Sequence, residues 1–321
     1  MDFDILAQQL IRAIRAHRSQ TAFSRWLGYK SNVVYTWEAG RRWPTASEFV
    51  RACEKTGIDV RGAWTGFYAS APPWLETLDL ASPGATATLL ADLRGNTPIS
   101  ALAERTGRSR FAVARWLKGE AEPRLPDFLR LVEGSSLRLL DWLAGLVDLS
   151  ALPSAADAWR RLEARREALF DAPWTAAVLH CLELEGYDGT EGWVAERLGL
   201  SLEEEQRCLR LLADSGQIRR VKTRWEPAAV MAIDTRRYPQ VNRELKAWWA
   251  QVGLEQLKAG NQGLFSYNVF TVNEADLETL RELHLAYFRQ LRAIVSESEP
   301  GERVVVANVQ LFALDPGPGG R

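Results

Sequence analysis

The sequence predicts a mainly α chain with a small α+β C-terminal part, on three observations. A helical module occurs twice: Trp37, Gly40, Pro44 and Phe49 recur as Trp116, Gly119, Pro123 and Phe128, each pair 79 residues apart with no gap. A further helical unit within residues 155–226 closes on two short β-prone runs. From Arg243 onward the pattern reads helix, strand, helix, strand. Gly28/Gly107, Arg15/Arg94 and Arg51/Arg130 keep the first offset, and a self-match held over a domain length is far harder to reach by chance than a short motif.

In the first copy, Leu6, Leu10, Ile11 and Ile14 recur at helical spacing and predict an amphipathic first helix. Ser19-Gln20 opens the next, with Ala22, Phe23, Trp26 and Leu27 inward. Gly28 supplies the turn, because it takes positive φ without a Cβ clash. A short helix follows, anchored by Val34 and Trp37 and ended by Gly40, with Ser31, Asn32 and Thr36 pointing away from the core. In the second copy, Thr97-Pro98 reads as a capping hydroxyl followed by a first-turn proline. Gly107 makes the turn, Val113 and Trp116 repeat the anchors, and Ser109, Arg110 and Arg115 lie outward.

The run Gly28-x8-Trp37-Glu38-x-Gly40-x3-Pro44 resembles the helix-turn-helix of the lambda-repressor or XRE type, over about residues 5–67. That resemblance implies binding of double-stranded DNA. Ser31, Asn32 and Thr36 would face base edges, and Gln20, Lys30, Arg41 and Arg42 would meet phosphates. In the second copy Ser109, Arg110 and Arg115 take the reading positions, and arginine is the usual reader of guanine. Ile99 stands where Gln20 was, and Glu120-Ala121 where Arg41-Arg42 were. Copy two therefore either reads bases with weaker anchoring or serves as a packing partner.

Charge leans the same way. Residues 1–70 carry 10 Lys/Arg against 6 Asp/Glu, whereas residues 151–226 carry 11 against 14, so the positive surplus sits on the first copy although the whole chain is at −1. The acidic start Met1-Asp2-Phe3-Asp4 has no apolar run behind it, and no stretch approaches a membrane span. Neither a secretory signal nor a membrane segment is expected. Cys53, Cys181 and Cys208 lie far apart without paired spacing and read as reduced, core-filling residues of a cytoplasmic protein.

In the middle segment, Ser201-x-x-Glu204 is a capping box opening a helix over 202–215, and Gly216 stands at its C-cap. Gln217–Val221 and Lys222–Trp225 read as a small β-wing. The run Trp193–Ser201 followed by Leu211-Leu212-x3-Gly216-x-Ile218 resembles a winged helix. Its reading-type helix starts Glu203-Glu204-Glu205, which suits the helix dipole but repels phosphate. A packing or dimerisation scaffold is the favoured reading, while Arg219, Arg220, Lys222 and Arg224 on the wing keep DNA contact open. Arg160-Arg161 and Arg165-Arg166 read as a solvated helix face.

Farther on, Arg243–Ala259 is amphipathic, Phe265–Val272 alternates like a strand, Glu274–Ser296 reads as a long helix and Arg303–Leu314 as a second strand. This order suggests a βαβ unit, which needs extra strands from the wing or a second subunit. Of Trp248-Trp249, at most one is expected to face the local core. Tyr238 to Leu314, closing on Asn308-x-Gln310-Leu311-Phe312-x-Leu314, resembles an uncharacterised bacterial family that joins a DNA-binding-like N-terminus to a domain of unknown function. Asn308 and Gln310 read as polar residues on a strand's wet face, with ligand contact the alternative.

The expected organisation is a helix-turn-helix domain at 1–70, a proline-bearing linker at 71–84 and a second such domain at 85–150. A winged-helix-like domain at 151–228, an α+β dimerisation or sensing domain at 229–314 and a flexible tail at 315–321 complete it. His17, His180 and His284 are scattered, and no zinc-type spacing or phosphate loop appears, so no cofactor, no metal and no enzyme is expected. The function expected first is a sequence-specific, homodimeric transcription regulator of the cytoplasm and nucleoid, with an unidentified ligand or protein partner at its C-terminal domain. The alternative is a protein-interaction adaptor.

Overall fold

A computed structural model describes residues 1–68, 71–228, 238–296, 298 and 300–315. The boundary expected at 229 and the tail from 316 onward lie outside the described residues. The chain is mainly helical, with one two-stranded sheet among the described residues. It divides into two compact units, residues 1–166 and a second made of 167–230 with 238–321.

The first unit opens with α1 (Phe3–Arg15), whose Asp2 side chain accepts from the amides of Asp4 and Ile5. The stripe Leu6, Leu10, Ile11 and Ile14 is buried, as its spacing requires. α2 (Gln20–Trp26), capped by Ser19, leads through Gly28 to α3 (Val33–Glu38). Gly28 sits at φ +97°, a backbone that side-chain-bearing residues avoid. α4 (Ala46–Lys55) starts on a full capping box between Thr45 and Glu48, and α5 (Val60–Phe67) follows.

The short α6 (Trp74–Thr77) lies where a spacer was expected. Leu75 and Leu80 are buried in the common core, and Arg61 donates to the carbonyls of Leu75 and Leu78. The 71–84 segment is thus packed structure rather than a free linker.

The second copy repeats the order: α7 (Pro83–Arg94), α8 (Ile99–Thr106), α9 (Arg110–Leu117), α10 (Leu125–Ser136) and α11 (Leu139–Leu143). Pro98 is itself the N-cap of α8, with no side-chain cap from Thr97. Backbone bonds recur at the offset. Tyr29 N donates to Ser24 O as Arg108 N does to Ala103 O, both at 3.0 Å. Arg41 and Arg42 donate to Thr36 O as Glu120 and Ala121 do to Arg115 O.

The two copies share one hydrophobic core. Thr45 and Arg124, equivalent residues of the two copies, form an antiparallel bridge. Around it, Leu125 N donates to Pro44 O at 2.9 Å and Ala46 N to Pro123 O at 3.1 Å. Each bond is the other's counterpart, so a pseudo-two-fold axis passes between Thr45 and Arg124. The helices obey it: α1 meets α10 as α7 meets α4, and α5 meets α11. Trp64 of α5 stacks on Trp142 of α11 at 4.6 Å between ring centroids, a pairing of about 0.5–1.5 kcal/mol beyond its buried area. Arg130 reaches Asp4 at the start of α1, and its counterpart Arg51 reaches the carbonyl of Ala81 just before α7. The unit closes with a 3-10 turn (Leu149–Ala151) and α12 (Pro153–Asp171), which runs past the unit's end. Arg165 and Arg166 are buried, and Arg166 pairs with Asp141 and Glu163. They do not belong to the solvated face that their charge suggests, whereas Arg160 and Arg161 are exposed.

In the second unit, α13 (Thr175–Cys181), α14 (Trp193–Leu198) and α15 (Leu202–Asp214) precede β1 (Ile218–Val221) and β2 (Arg224–Pro227). The strands pair antiparallel, Ile218 opposite Pro227 and Val221 opposite Arg224. Val178, Cys181, Val194, Cys208, Leu212 and Ile218 form the core. All three cysteines are free and buried, and burial raises the thiols, Cys181 to about 11 and Cys208 to about 12.

α16 (Pro239–Lys258) and α17 (Glu274–Ser296) complete the helices among the described residues. Trp248 and Trp249, both half-buried, each meet the ring of Trp174 edge-on, at 5.2 and 5.7 Å, and neither packs on the core of the second unit. Phe265–Val272 and Arg303–Leu314 are not strands, and no βαβ unit forms among the described residues. The alternation is there, but among the described residues no neighbouring strand supplies a ladder. Asn308 and Gln310 accordingly sit on exposed irregular backbone.

Candidate nucleic-acid interface

α3 and α9 are held the same way in the two copies. Val34 and its counterpart Val113 are fully buried, while Trp37 is buried and Trp116 half-buried against the core. Each helix therefore presents the opposite side outward. The outward side chains divide into those engaged locally and those left available.

In the first copy, Ser31 and Lys30 are exposed, and their side chains make no hydrogen bond among the described residues. Asn32 is the N-cap of α3. Its Oδ1 accepts from Tyr35 N at 3.3 Å and from Ser24 Oγ at 3.1 Å, leaving the amide nitrogen to face outward partners. Thr36 donates its hydroxyl to Val33 O at 2.7 Å. Arg41 and Arg42 are exposed, and Arg41 lies 5.5 Å from the centroid of the Tyr35 ring.

Gln20 has another task. Its Nε2 donates to Glu38 Oε2 at 2.7 Å, and Arg15 Nε donates to Glu38 Oε1 at 2.5 Å. Arg12 adds a charge 3.7 Å from the same carboxylate and donates to the Glu38 carbonyl. Glu38 is only 5% exposed, so this is a buried polar hub that fastens α3 to α1 and α2. At the equivalent places the second copy has Ala91, Arg94, Ile99 and Leu117. Ile99 replaces Gln20 because Leu117 replaces Glu38: the hub has turned apolar. Arg94 is its remnant. It donates to Thr97 O as Arg15 does to Arg18 O, but its buried Nε has no partner among the described residues.

In the second copy, Ser109 is the N-cap of α9, its Oγ accepting from Ala112 N at 3.2 Å. Arg110 and Arg115 are exposed, and their side chains have no hydrogen-bond or ion-pair partner among the described residues. Between them Phe111 is 81% exposed at the position of Asn32. The sequence reading passed over Phe111 and over Tyr35, which is 45% exposed on α3. The repeat carries no signal for them, since the counterpart of Phe111 is Asn32 and that of Tyr35 is Ala114. Glu120 stands beside Lys118 where the first copy has cations.

In the second unit the three acids at the start of α15 are not alike. Glu203 and Glu204 are exposed or half-exposed, but Glu205 is buried, accepting from Gly192 N at 3.0 Å and Ala195 N at 2.5 Å. It caps α14 from a neighbouring helix and faces no groove. Arg219, Arg220, Lys222 and Arg224 of the hairpin are exposed or partly so, and Arg220 and Arg224 lie over the rings of Trp225 and Tyr187. His180 pairs with Glu183 at 2.7 Å, and this bond raises its pKa. The adjacent Cys181 is buried and forms no pair with it. Among the described residues no cluster of His, Cys, Asp or Glu could hold a metal ion, and no helix is long and apolar enough to cross a membrane.

The family described as Domain of unknown function (DUF4423) matches residues 154–314, half of the chain. The chain belongs to this family; α1 to α11 lie before the matched region. No curated protein and no solved structure matches the chain.

Proposed function

We propose that this chain binds double-stranded DNA sequence-specifically and regulates transcription in the bacterial cytoplasm, on the nucleoid. One observation carries the reading. Two short helices in equivalent settings, α3 and α9, expose their polar and cationic sides, while their apolar sides are fixed by Val34 and Trp37 or Val113 and Trp116. This is the construction a helix-turn-helix uses to offer one helix to the major groove. Ser31, the Asn32 amide and Tyr35 on α3, with Arg110, Phe111 and Arg115 on α9, are the base-reading set. Lys30, Arg41 and Arg42 are the phosphate set. Gln20 leaves that set because Glu38 holds it, and Thr36 and Ser109 act first on their own helices.

The second unit, with three helices followed by a hairpin, is winged-helix-like in this reading. Residues 229–314 dimerise or sense a signal. Selection of bound sequences from randomised duplex DNA with the whole chain tests the proposal. The expected result is a defined motif and a steep fall of affinity with salt. Retention of no duplex at low salt overturns it. A second reading, an adaptor that docks a protein on α9, draws on the exposed ring of Phe111 between Arg110 and Arg115. A stable protein partner lost on Phe111→Ala, without any duplex motif, would favour it.

A further inference from the structure

Resting on that reading, we infer that a single chain is a fused pseudo-dimer that reads two inverted half-sites of unlike sequence, α3 on one and α9 on the other. Two copies joined in tandem can be arranged in two ways. Related by translation, they would read a direct repeat. Related by a two-fold, they would read an inverted one, because the two-fold of the protein then coincides with a dyad of the duplex.

The bridge decides between them. Thr45 pairs with its own counterpart Arg124, and it does so antiparallel. Translation cannot bring equivalent residues together antiparallel; a two-fold does so at its axis. The exchanged bonds Leu125 N to Pro44 O and Ala46 N to Pro123 O are the two halves of one isologous contact. The crossed packing of α1 on α10 and α7 on α4, and the crossed reach of Arg130 and Arg51, extend the same symmetry through the core.

The symmetry holds for the backbone and fails at the outward side chains. α3 offers Ser31, Asn32 and Tyr35; α9 offers Arg110, Phe111 and Arg115 from the same outward side. Arginine pairs bidentately with guanine, and an exposed phenyl ring suits the thymine methyl, whereas an asparagine amide suits adenine. The flanking cations Lys30, Arg41 and Arg42 have Ser109, Glu120 and Ala121 as their counterparts across the pseudo-axis. The half-site under α3 is therefore the more strongly anchored, and the one under α9 the richer in guanine.

The test is selection from randomised duplex with the whole chain and with the variant Arg110→Ala/Arg115→Ala, whose two side chains are exposed. The unaltered chain is expected to select two unlike half-sites in inverted orientation. The variant is expected to lose preference about tenfold or more at base pairs of one half-site and to keep the other. Direct repeats, a single half-site, or equal loss in both halves overturns the inference while leaving DNA binding in place. Failure of the unaltered chain to retain any duplex overturns the proposed function and this inference with it.

Discussion

Arg15 and Glu38 meet at 2.5 Å beneath α3, and the carboxylate they share with Gln20 and Arg12 is almost fully buried. α3 is thus fixed by charge as well as by Val34 and Trp37. In the second copy the same junction is held by Ile99 and Leu117.

Glu38→Leu alone leaves two arginines and a glutamine facing an apolar side chain. A loss of about 2–3 kcal/mol is expected, below the full cost of an orphaned buried charge because Arg15 and Arg12 can turn to solvent. Adding Gln20→Ile, the combination found in copy two, is expected to recover part of it. Urea denaturation of the single and double variants measures both values. A single variant as stable as the parent would show that the hub does not hold α3 in place.

Trp64 and Trp142 tie the copies together. Trp142→Ala is expected to cost about 3–5 kcal/mol. Residues 1–166 should lose their stability as a whole, not only in the second copy. Hydrogen exchange on α1 and α4 is the measurement; protection unchanged there while α10 exchanges fast would mean that the copies unfold separately.

His180 titrates above its ordinary value of about 6.5 because its Nδ1 is bonded to Glu183. A raised folded-state pKa gives stability that is complete below the unfolded value and fades as pH rises through the folded one. Stability should therefore decline slightly from about pH 6.5 upward for this pair. Glu183→Gln should return the His180 imidazole resonance midpoint toward about 6.5 in an NMR titration. A midpoint unmoved by the substitution would show that the pair does not govern it.

Arg41→Ala/Arg42→Ala is expected to weaken duplex binding alike for all sequences. The slope of log K against log salt should become shallower by about 1.8, or about 0.9 for each phosphate that is no longer neutralised. Fold should be unaffected, since both side chains are exposed. Titration at several salt concentrations reads the slope; no change in it would place phosphate elsewhere.

Much of the first unit was legible because its signals are local. The offset of Trp37 and Trp116, the turn glycines Gly28 and Gly107, and the apolar stripe of α1 each depend on neighbours within a few turns. The capping hydroxyl of Ser201 and the hairpin after Gly216 were readable for the same reason. What the sequence hid depends on distant partners. Gln20 and Glu38 are 18 residues apart, and nothing local separates a carboxylate that faces water from one that meets two arginines. Glu205 looked like part of an acidic run until Gly192 and Ala195 supplied the amides it caps. Phe265–Val272 alternates as a strand does, but alternation describes a strand's faces and says nothing about who pairs with its edges. The 71–84 segment, with its prolines, reads as a spacer because the pockets that receive Leu75 and Leu80 are assembled only in the folded unit.

The bridge between Thr45 and Arg124 also changes what dilution can do. Partners on separate chains come apart once their concentration drops below a dissociation constant, and each must then find its mate again. Here the mate is tethered by a packed stretch of the same polypeptide, so a lone molecule in a cell already carries the assembled pair. Each half is also free to change its outward residues without altering the other, an independence that two identical subunits encoded by one gene do not have.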